Sequence, residues 1–521
     1  MSKYLLRRIL SGIFSIIAVV IIVMLLVYGC MDRERVFAFD PVYSKQSSNT
    51  RIVYRYRQWE KYGYLDYVNY TEYLSELIRS GELSADEASL AQKIAATANE
   101  DDATVKKYVA KFTEYYEAKG YTVTRLKADV KGGVLQAGGF QQLFAYKNFS
   151  VFKRIWTYFT SIIQIDNIHN ASGDVGERGI SFTWFDPVYG GKKFSPAIMG
   201  NGTTHKYLLY FDDQFPFIHQ NLITIRLGES ISVSKDIDIW DTMTQKQGGQ
   251  VSKPTVYPTG YAAVSADDLH SAIYIEGSNS TEFSQTRYTD DYTGVSLRLD
   301  GQSKLSYSFV IGIISVIIAY ALGLPLGVLM ARKKDKIPDI LGTVYIIFII
   351  AVPSLAYIFM FRALGGKLGI PTAFDTTALK WTMYILPIVS LALPSIAGLM
   401  KWMRRYMIDQ ENSDYVKFAR SGGLSESEIF RKHIFKNAMI PLVHGIPGSI
   451  LGALTGAIIT ESVYVVPGVG NLLTQAISYY DNAVIVGVTL FYAVLSVLSL
   501  ILGDILMALM DPRISFTTKG R

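Results

Sequence analysis

Six apolar runs, each close to the length of a bilayer crossing, divide this chain, and the loops joining them alternate in charge. They are Ile9 to Tyr28, Phe309 to Met330, Leu341 to Phe361, Trp381 to Met400, Met439 to Thr460 and Ile485 to Met510. A helix of about 20 apolar residues spans the hydrocarbon core. Lys3, Arg7 and Arg8 precede the first run, and Arg332, Lys333, Lys334 and Lys336 follow the second. Lys401, Arg404, Arg405, Lys417, Arg420, Arg431, Lys432 and Lys436 follow the fourth; Arg513, Lys519 and Arg521 follow the sixth. Residues 462–484 contain no lysine or arginine. Because lysine and arginine gather in cytoplasmic loops, these basic regions and both termini are expected inside. Residues 31–304 are then expected outside, and the six spans alternate without conflict.

The first run is longer than the roughly 7–15 residues of a signal-peptide core, so residues 1–30 are read as a retained anchor helix. Val27 to Cys30 has the look of a lipoprotein cleavage box, but bulky Tyr28 and the long run before it argue against cleavage there. Cys30 is the only cysteine, which rules out an intrachain disulfide. The net charge of +6 sits on loops beside apolar runs, a topology signature and not a nucleic-acid footprint. Gly312, Gly323, Pro325 and Gly327 in the second run predict close helix contact. Pro353, Pro387, Pro394, Pro441 and Pro447 fall within later runs. Neighbouring helices or water must satisfy the carbonyls they free, so the spans are expected to pack around a pathway, with Pro353 beside it.

Residues 31–304 have soluble composition and read as an α+β insertion. Val105, Tyr108, Val109, Phe112 and Tyr116 repeat at helical spacing before Gly120, and Tyr73, Leu74, Leu77 and Ile78 do so before Gly81. From Gly179 onward strands and turns dominate: Ile180 to Phe185, Gly190–Gly191, Asn201–Gly202 and Tyr207 to Phe211. The many tyrosines are read as core and rim residues before a ligand-stacking surface. Tyr158 to Asn167 and Ile218 to Ser230 are half-apolar, and either suits a membrane surface.

The most distinctive stretch runs from Asp414 to Pro441. A first helix beginning at Ser413 or Asp414 and carrying Tyr415, Val416, Phe418 and Ala419 should stop at Gly422–Gly423. A second should open on Ser425 and Glu428, a reciprocal cap, with Ile429, Phe430, His433 and Ile434 on one face. A loop serving topology alone would need neither the cap nor the glycine break, so an elbow built to be gripped is expected.

This stretch, YVKFARSGGLSESEIFRKHIFKNAMIPLV, resembles the EAA coupling loop of binding-protein-dependent ABC importers, in the form found in peptide permeases. Against E-A-A-x3-G-x9-I-x-L-P, Ala419 and Gly423 match. Lys417, Phe418 and His433 depart from it, and Phe435–Lys436 stand in place of Leu-Pro. Glu461-Ser462-Val463 followed by Pro467-Gly468-Val469-Gly470 resembles the segment after the family's fifth span. Asp504 with Asp511-Pro512-Arg513 resembles its closing D-x6-D-P-R. Asn221, Leu227, Gly228 and Ser230 resemble the N-L-x3-L-G-x-S before its second span. The likeness is greatest to B-type oligopeptide permease subunits with an enlarged external insertion.

The resemblance implies six spans of the type I ABC importer kind, a membrane all-α fold with the α+β domain inserted after the first. It divides the chain into an anchor (1–30), an extracellular domain (31–304) and a permease core (305–521) with its coupling loop at 401–438. It implies a bacterial plasma membrane location and a second homologous permease subunit. Two cytoplasmic ATPases carrying ATP and Mg²⁺ and an extracellular peptide-binding lipoprotein complete the assembly. Ala419, Gly422, Gly423, Leu424, Ser425, Glu428, Ile429, Phe430 and His433 would contact the ATPase, with Ile429, Phe430 and His433 as the gripped face.

No G-x4-G-K-[ST] loop occurs, so ATP hydrolysis of the usual kind is not expected of this chain. The six histidines show no metal-ligand spacing, and no cofactor, metal or catalytic residue is expected. Glu461 and Asp504 lie near span ends, where ionisable groups are costly; structural roles compete there with a substrate-pathway role for Glu461. A dipeptide, nickel or haem permease and a channel or secondary transporter are the alternatives, besides an anchored surface enzyme with its chemistry in 31–304.

Overall fold

The computed structural model describes residues 2–92, 102–171, 175–186, 192–211, 217–251, 270, 273–274, 298–299 and 301–510. The turn expected at Gly190–Gly191, the terminal Asp511-Pro512-Arg513 motif, and Lys519 and Arg521 lie outside these residues.

A single apolar helix, α1 (Ser2–Cys30), opens the chain, most of its surface unburied by protein. Then come α2 (Ser48–Lys61), β1 (Leu65–Asn69), α3 (Tyr70–Arg79), α4 (Ala85–Ala91) and α5 (Ala103–Ala118). Asn69 and Glu72 form a full reciprocal cap at the start of α3. On α5, Val105, Tyr108, Phe112 and Tyr116 are buried as the spacing predicts, packing with Tyr73 and Leu74 of α3. Ile78 is exposed, so the α3 stripe is shorter than expected. Four tyrosines of this part, Tyr70, Tyr73, Tyr108 and Tyr116, are buried in its core, while Tyr115 stays exposed at the rim.

Strands β2 (Thr122–Leu126) and β3 (Gln142–Asn148) complete an antiparallel sheet in the order β1-β3-β2. Next are α6 (Val151–Ser161), β4 (Ile163–Ile165), β5 (Gly179–Thr183), β6 (Ala197–Asn201), β7 (Tyr207–Phe211), β8 (Ile218–Gln220) and β9 (Ile223–Ile225). β5 to β8 form a meander. β9 leaves it to pair antiparallel with β4. The two half-apolar segments read separately in the sequence are thus partners in one ribbon. α7 (Ile239–Thr244) precedes the helical core.

The core holds α8 (Lys304–Arg332), α9 (Ile337–Ala351), α10 (Ser354–Lys367), α11 (Ile385–Glu411), α12 (Asp414–Ser421), α13 (Lys436–His444), α14 (Ile446–Tyr464), α15 (Val469–Ser478) and α16 (Asn482–Met510). Among the described residues, five helices are long and apolar enough to cross a membrane: α1, α8, α11, α14 and α16. The third expected span is not one helix. α9 and α10 meet at 106°, because Pro353 lacks an N–H and forces Val352 before it into an extended conformation. The fifth run is likewise divided, at Gly445, into α13 and α14.

α8 and α11 pack closest where small residues allow it. A Cβ on Gly323 would lie 2.8 Å from Leu399 Cβ, and one on Gly327 2.8 Å from Met403 Cβ. α1 packs on α16, pinned at one end by Asp504, whose carboxylate accepts from Tyr4 Oη at 2.9 Å and pairs with Arg8 Nε at 3.0 Å. Near the other end Asp481 is fully buried. Its Oδ2 accepts from Ser230 Oγ (2.7 Å) and from the amides of Ile231 (2.9 Å), Ser232 (2.9 Å) and Val233 (3.1 Å). The Ser230-Ile231-Ser232-Val233 segment thereby wraps the residue just before α16 and joins the inserted region to the bundle.

Candidate functional site

α11 carries the chain out of the bundle into the glycine-turned elbow. α12 ends on a Schellman arrangement: the amide of Leu424 donates to the carbonyl of Ala419 (3.3 Å), and that of Gly423 to the carbonyl of Arg420 (3.1 Å). Gly423 sits at φ +81°, the left-handed region only glycine occupies without strain. Gly422 has φ −75° and a Cβ there would meet no close contact, so one glycine of the pair sets the turn.

Ser425 then caps the second arm. Its hydroxyl lies 3.4 Å from the Glu428 amide and donates to the Glu428 carboxylate at 3.1 Å. Arg420 spans the turn to Glu426 with two bonds, Nε–Oε1 at 2.6 Å and Nη2–Oε2 at 3.1 Å. Charge pairing holds the elbow carboxyls below their ordinary range: Arg420 acts on Glu426, Lys417 on Asp414, and Ser425 with Lys432 on Glu428. Tyr415 ties the two arms together, donating to the His433 carbonyl at 3.2 Å and accepting from Asn437 Nδ2 at 3.0 Å.

The second arm departs from the expected face. Residues Ile429–Phe435 form a π-helix, whose wider turn places side chains five apart on one side. Ile429 and Ile434 therefore point inward together. With Val416 and Ala419 they pack against Met403, Met407 and Ala331. Ile429 is 0% exposed and cannot form a gripped face; Phe430 and His433 are half-buried. Arg332 stacks over the Phe430 ring at 4.8 Å, tying the arm to the end of α8.

The outward face belongs to Leu424, which the sequence reading places there, and to Phe418 and Tyr415, which it does not. Phe418 is 78% exposed at the tip, flanked by Tyr415 and Leu424, both 38% exposed. Phe418 departs from the alanine of the coupling-loop pattern, and an aromatic side chain there was the available signal.

Glu461, expected beside a pathway, is fully buried. Ser308 Oγ donates to its Oε1 (2.6 Å) and the Asn471 amide to its Oε2 (2.9 Å). Ser308 Oγ in turn accepts from the Val469 amide at 2.9 Å. A Cβ on Gly468 would come within 2.3 Å of this carboxylate, which explains the glycine in Pro467-Gly468-Val469-Gly470. Glu461 pins a loop. Pro353 is exposed at the α9–α10 bend. Neither residue lines the cavity of ≈ 420 Å³ that opens between α8, α11 and α14. Its walls carry Tyr320, Pro394, Gly398, Trp402, Ser449 and Gly452. Tyr320 Oη donates to the Leu442 carbonyl (3.1 Å) and lies 3.2 Å from Ser449 Oγ.

The bundle and its elbow define the class, a multi-pass membrane protein with a charged, glycine-turned elbow between two of its long helices. Residues 323–516 match the family described as binding-protein-dependent transport system inner membrane component. Oligopeptide transport system permease protein AmiC of Streptococcus pneumoniae is 33% identical over 528 residues, covering 100% of both chains. Dipeptide transport system permease protein DppB of Bacillus subtilis is 31% identical over 215 residues, 41% of this chain and 69% of that one. Among solved structures, an amino acid ABC transporter aligns with 40% of this chain and 92% of its own, at 18% identity and a TM-score of 0.32. The chain belongs to this family of ABC transporter permeases.

Proposed function

We propose that the chain is the membrane-spanning, pathway-forming subunit of an ATP-driven importer of oligopeptides. The full-length likeness to AmiC, which extends through the inserted region, carries this reading. In it the α9–α10 pair counts as one bent span, giving six. The charge alternation then puts the elbow in the cytoplasm and residues 31–304 outside, dividing the chain into anchor (1–30), external domain (31–304) and permease core (305–521).

The elbow supplies the mechanism. Two partner ATPases, which bind ATP and Mg²⁺, each dock on a permease elbow, here through Phe418 with Tyr415 and Leu424 around it. ATP binding draws the ATPases together and moves the elbow. Because Val416, Ala419, Ile429 and Ile434 are packed on the ends of α8 and α11, that motion passes to the spans without loss in a soft joint. The cavity between α8, α11 and α14 then opens to alternate sides. A second permease subunit packs on this side, where Gly448 and Gly452 of α14 have open space beyond them. An external peptide-binding lipoprotein delivers substrate over 31–304.

The test is uptake of a panel of labelled peptides by vesicles containing the chain with its partner permease, ATPases and binding protein. ATP-dependent accumulation is expected for peptides of several residues. Uptake that ignores ATP, or that is confined to metal complexes or haem, would refute the reading.

A further inference from the structure

Beyond transport itself, the inserted region carries an apolar face that none of the described residues covers. Phe152 is 79% and Trp156 72% exposed, one turn apart on α6. The ribbon that directly follows α6 in the chain carries a second apolar face. In β4–β9, Ile163 stands opposite Ile225 and Ile165 opposite Ile223. Residues two apart on a strand, with their cross-strand partners, share a face. All four isoleucines therefore project together, and all are exposed. An apolar patch of this size facing water is unusual and marks an interaction surface.

Its position identifies the occupant. Arg154, midway between Phe152 and Trp156, stacks its guanidinium on the ring of Tyr28 at 3.6 Å and on that of Tyr64 at 3.7 Å. Tyr28 ends the apolar run of α1, about 30 Å of helix beyond Arg8, the length of the hydrocarbon core. Arg154 thus lies at the level where hydrocarbon gives way to headgroups. Phe152 and Trp156 are each only about 3 Å along the helix from it. Ile155, on the inner side of α6, belongs to the same core as Val20 and Met24 of α1, which lie deeper still. On α1 itself Ile22, Leu25 and Leu26 are also exposed, so both helices carry an uncovered apolar side. Lys153, Thr157 and Thr160 occupy the remaining, polar side. A helix with one side on protein, one apolar and one polar, an arginine–tyrosine stack at the boundary and a tryptophan beside it, fits an interface between lipid and water.

We propose that α6 and the β4–β9 ribbon form an interfacial anchor, immersed in the lipid leaflet that faces the inserted region. Phe152, Trp156 and the isoleucines reach the acyl-chain boundary, while Arg154 and Lys153 stay with the phosphates. The anchor holds the inserted region at a constant height over the bundle. It depends on the depth of α1 and not on which side of the membrane that region occupies.

Cys30 is the lone cysteine, so Cys30→Ser gives a background for single spin labels at Trp156→Cys, Ile223→Cys, Lys153→Cys and, as a lipid-facing control, Leu25→Cys. The full chain, assembled with its partner subunits in phosphatidylglycerol–phosphatidylethanolamine vesicles, is probed with oxygen and with a water-soluble nickel chelate. Oxygen should reach labels 156 and 223 several-fold more readily than the chelate, as at 25, with the reverse at 153. Equal access of the chelate to 156 and 223 would mean they face water and would overturn the proposal. So would exclusion of both reagents, which would mean that a protein partner covers the patch. The unsubstituted chain offers an independent readout: a photoactivated lipid should crosslink within residues 151–165, and absence of such adducts would count equally against it.

Discussion

Arg420 and Glu426 face one another across the Gly423 turn, joined by a two-pronged ion pair at 2.6 and 3.1 Å. The pair closes the elbow at its open edge, while Ile429 and Ile434 close it from within. It is exposed, so its energetic weight alone is small; its geometric effect is to hold one angle between the two arms.

The pH dependence of the elbow follows from its carboxyls. Glu426, Glu428 and Asp414 are held below their ordinary values by their cationic and hydrogen-bonding partners. Their contribution is present above the ordinary carboxylate range and is lost as pH falls through the lowered values. Amide hydrogen exchange at Gly423 and Leu424, corrected for intrinsic rates, should therefore quicken below about pH 4. Glu426→Gln should show that quickening already at neutral pH. Unchanged protection in acid would refute this account.

Gly423→Ala should strain the turn by roughly 1–2 kcal/mol, since a left-handed conformation is costly once a Cβ is present. No steric clash accompanies it, because space around Gly423 is open. Gly422→Ala should cost little. Thermal unfolding of the purified chain would rank the two, and ATP-dependent peptide uptake should fall in the same order.

Phe418→Ala and Ile429→Ala should fail differently. Phe418 touches little of its own chain, so its loss should leave the melting temperature unchanged while reducing recovery of the ATPases on co-purification. Ile429 is buried, and truncating it should destabilise the chain by about 3 kcal/mol through the cavity left behind. Equal loss of stability in both variants would remove Phe418 from the docking surface.

Asp481→Ala should leave Ser230 Oγ and the amides of residues 231–233 without an acceptor, costing about 3 kcal/mol or more. Limited proteolysis should then cut between residues 229 and 238 in the variant and spare the parent chain. Glu461→Gln, in contrast, keeps the shape of a pinned loop, and uptake should persist with it; a loss of uptake without a loss of stability would return Glu461 to the pathway.

The apolar runs, their expected orientation, the caps at Asn69 and Ser425 and the left-handed turn at Gly423 are all written within a few residues of where they act. Hydropathy, charge bias and backbone preference are local properties, so the amino-acid sequence by itself determined them. The π-helix that carries Ile429 and Ile434 inward was decided by Met403, Met407 and Ala331, to which those side chains must fit. β4 and β9 found each other across the whole meander, and Asp481 found its amides at the far end of the inserted region. Such partners are remote along the chain, and only their meeting in three dimensions determines which face is buried. That is why the elbow was legible as an elbow, while the side chain at its tip, Phe418, emerged only once the tertiary packing had buried the others.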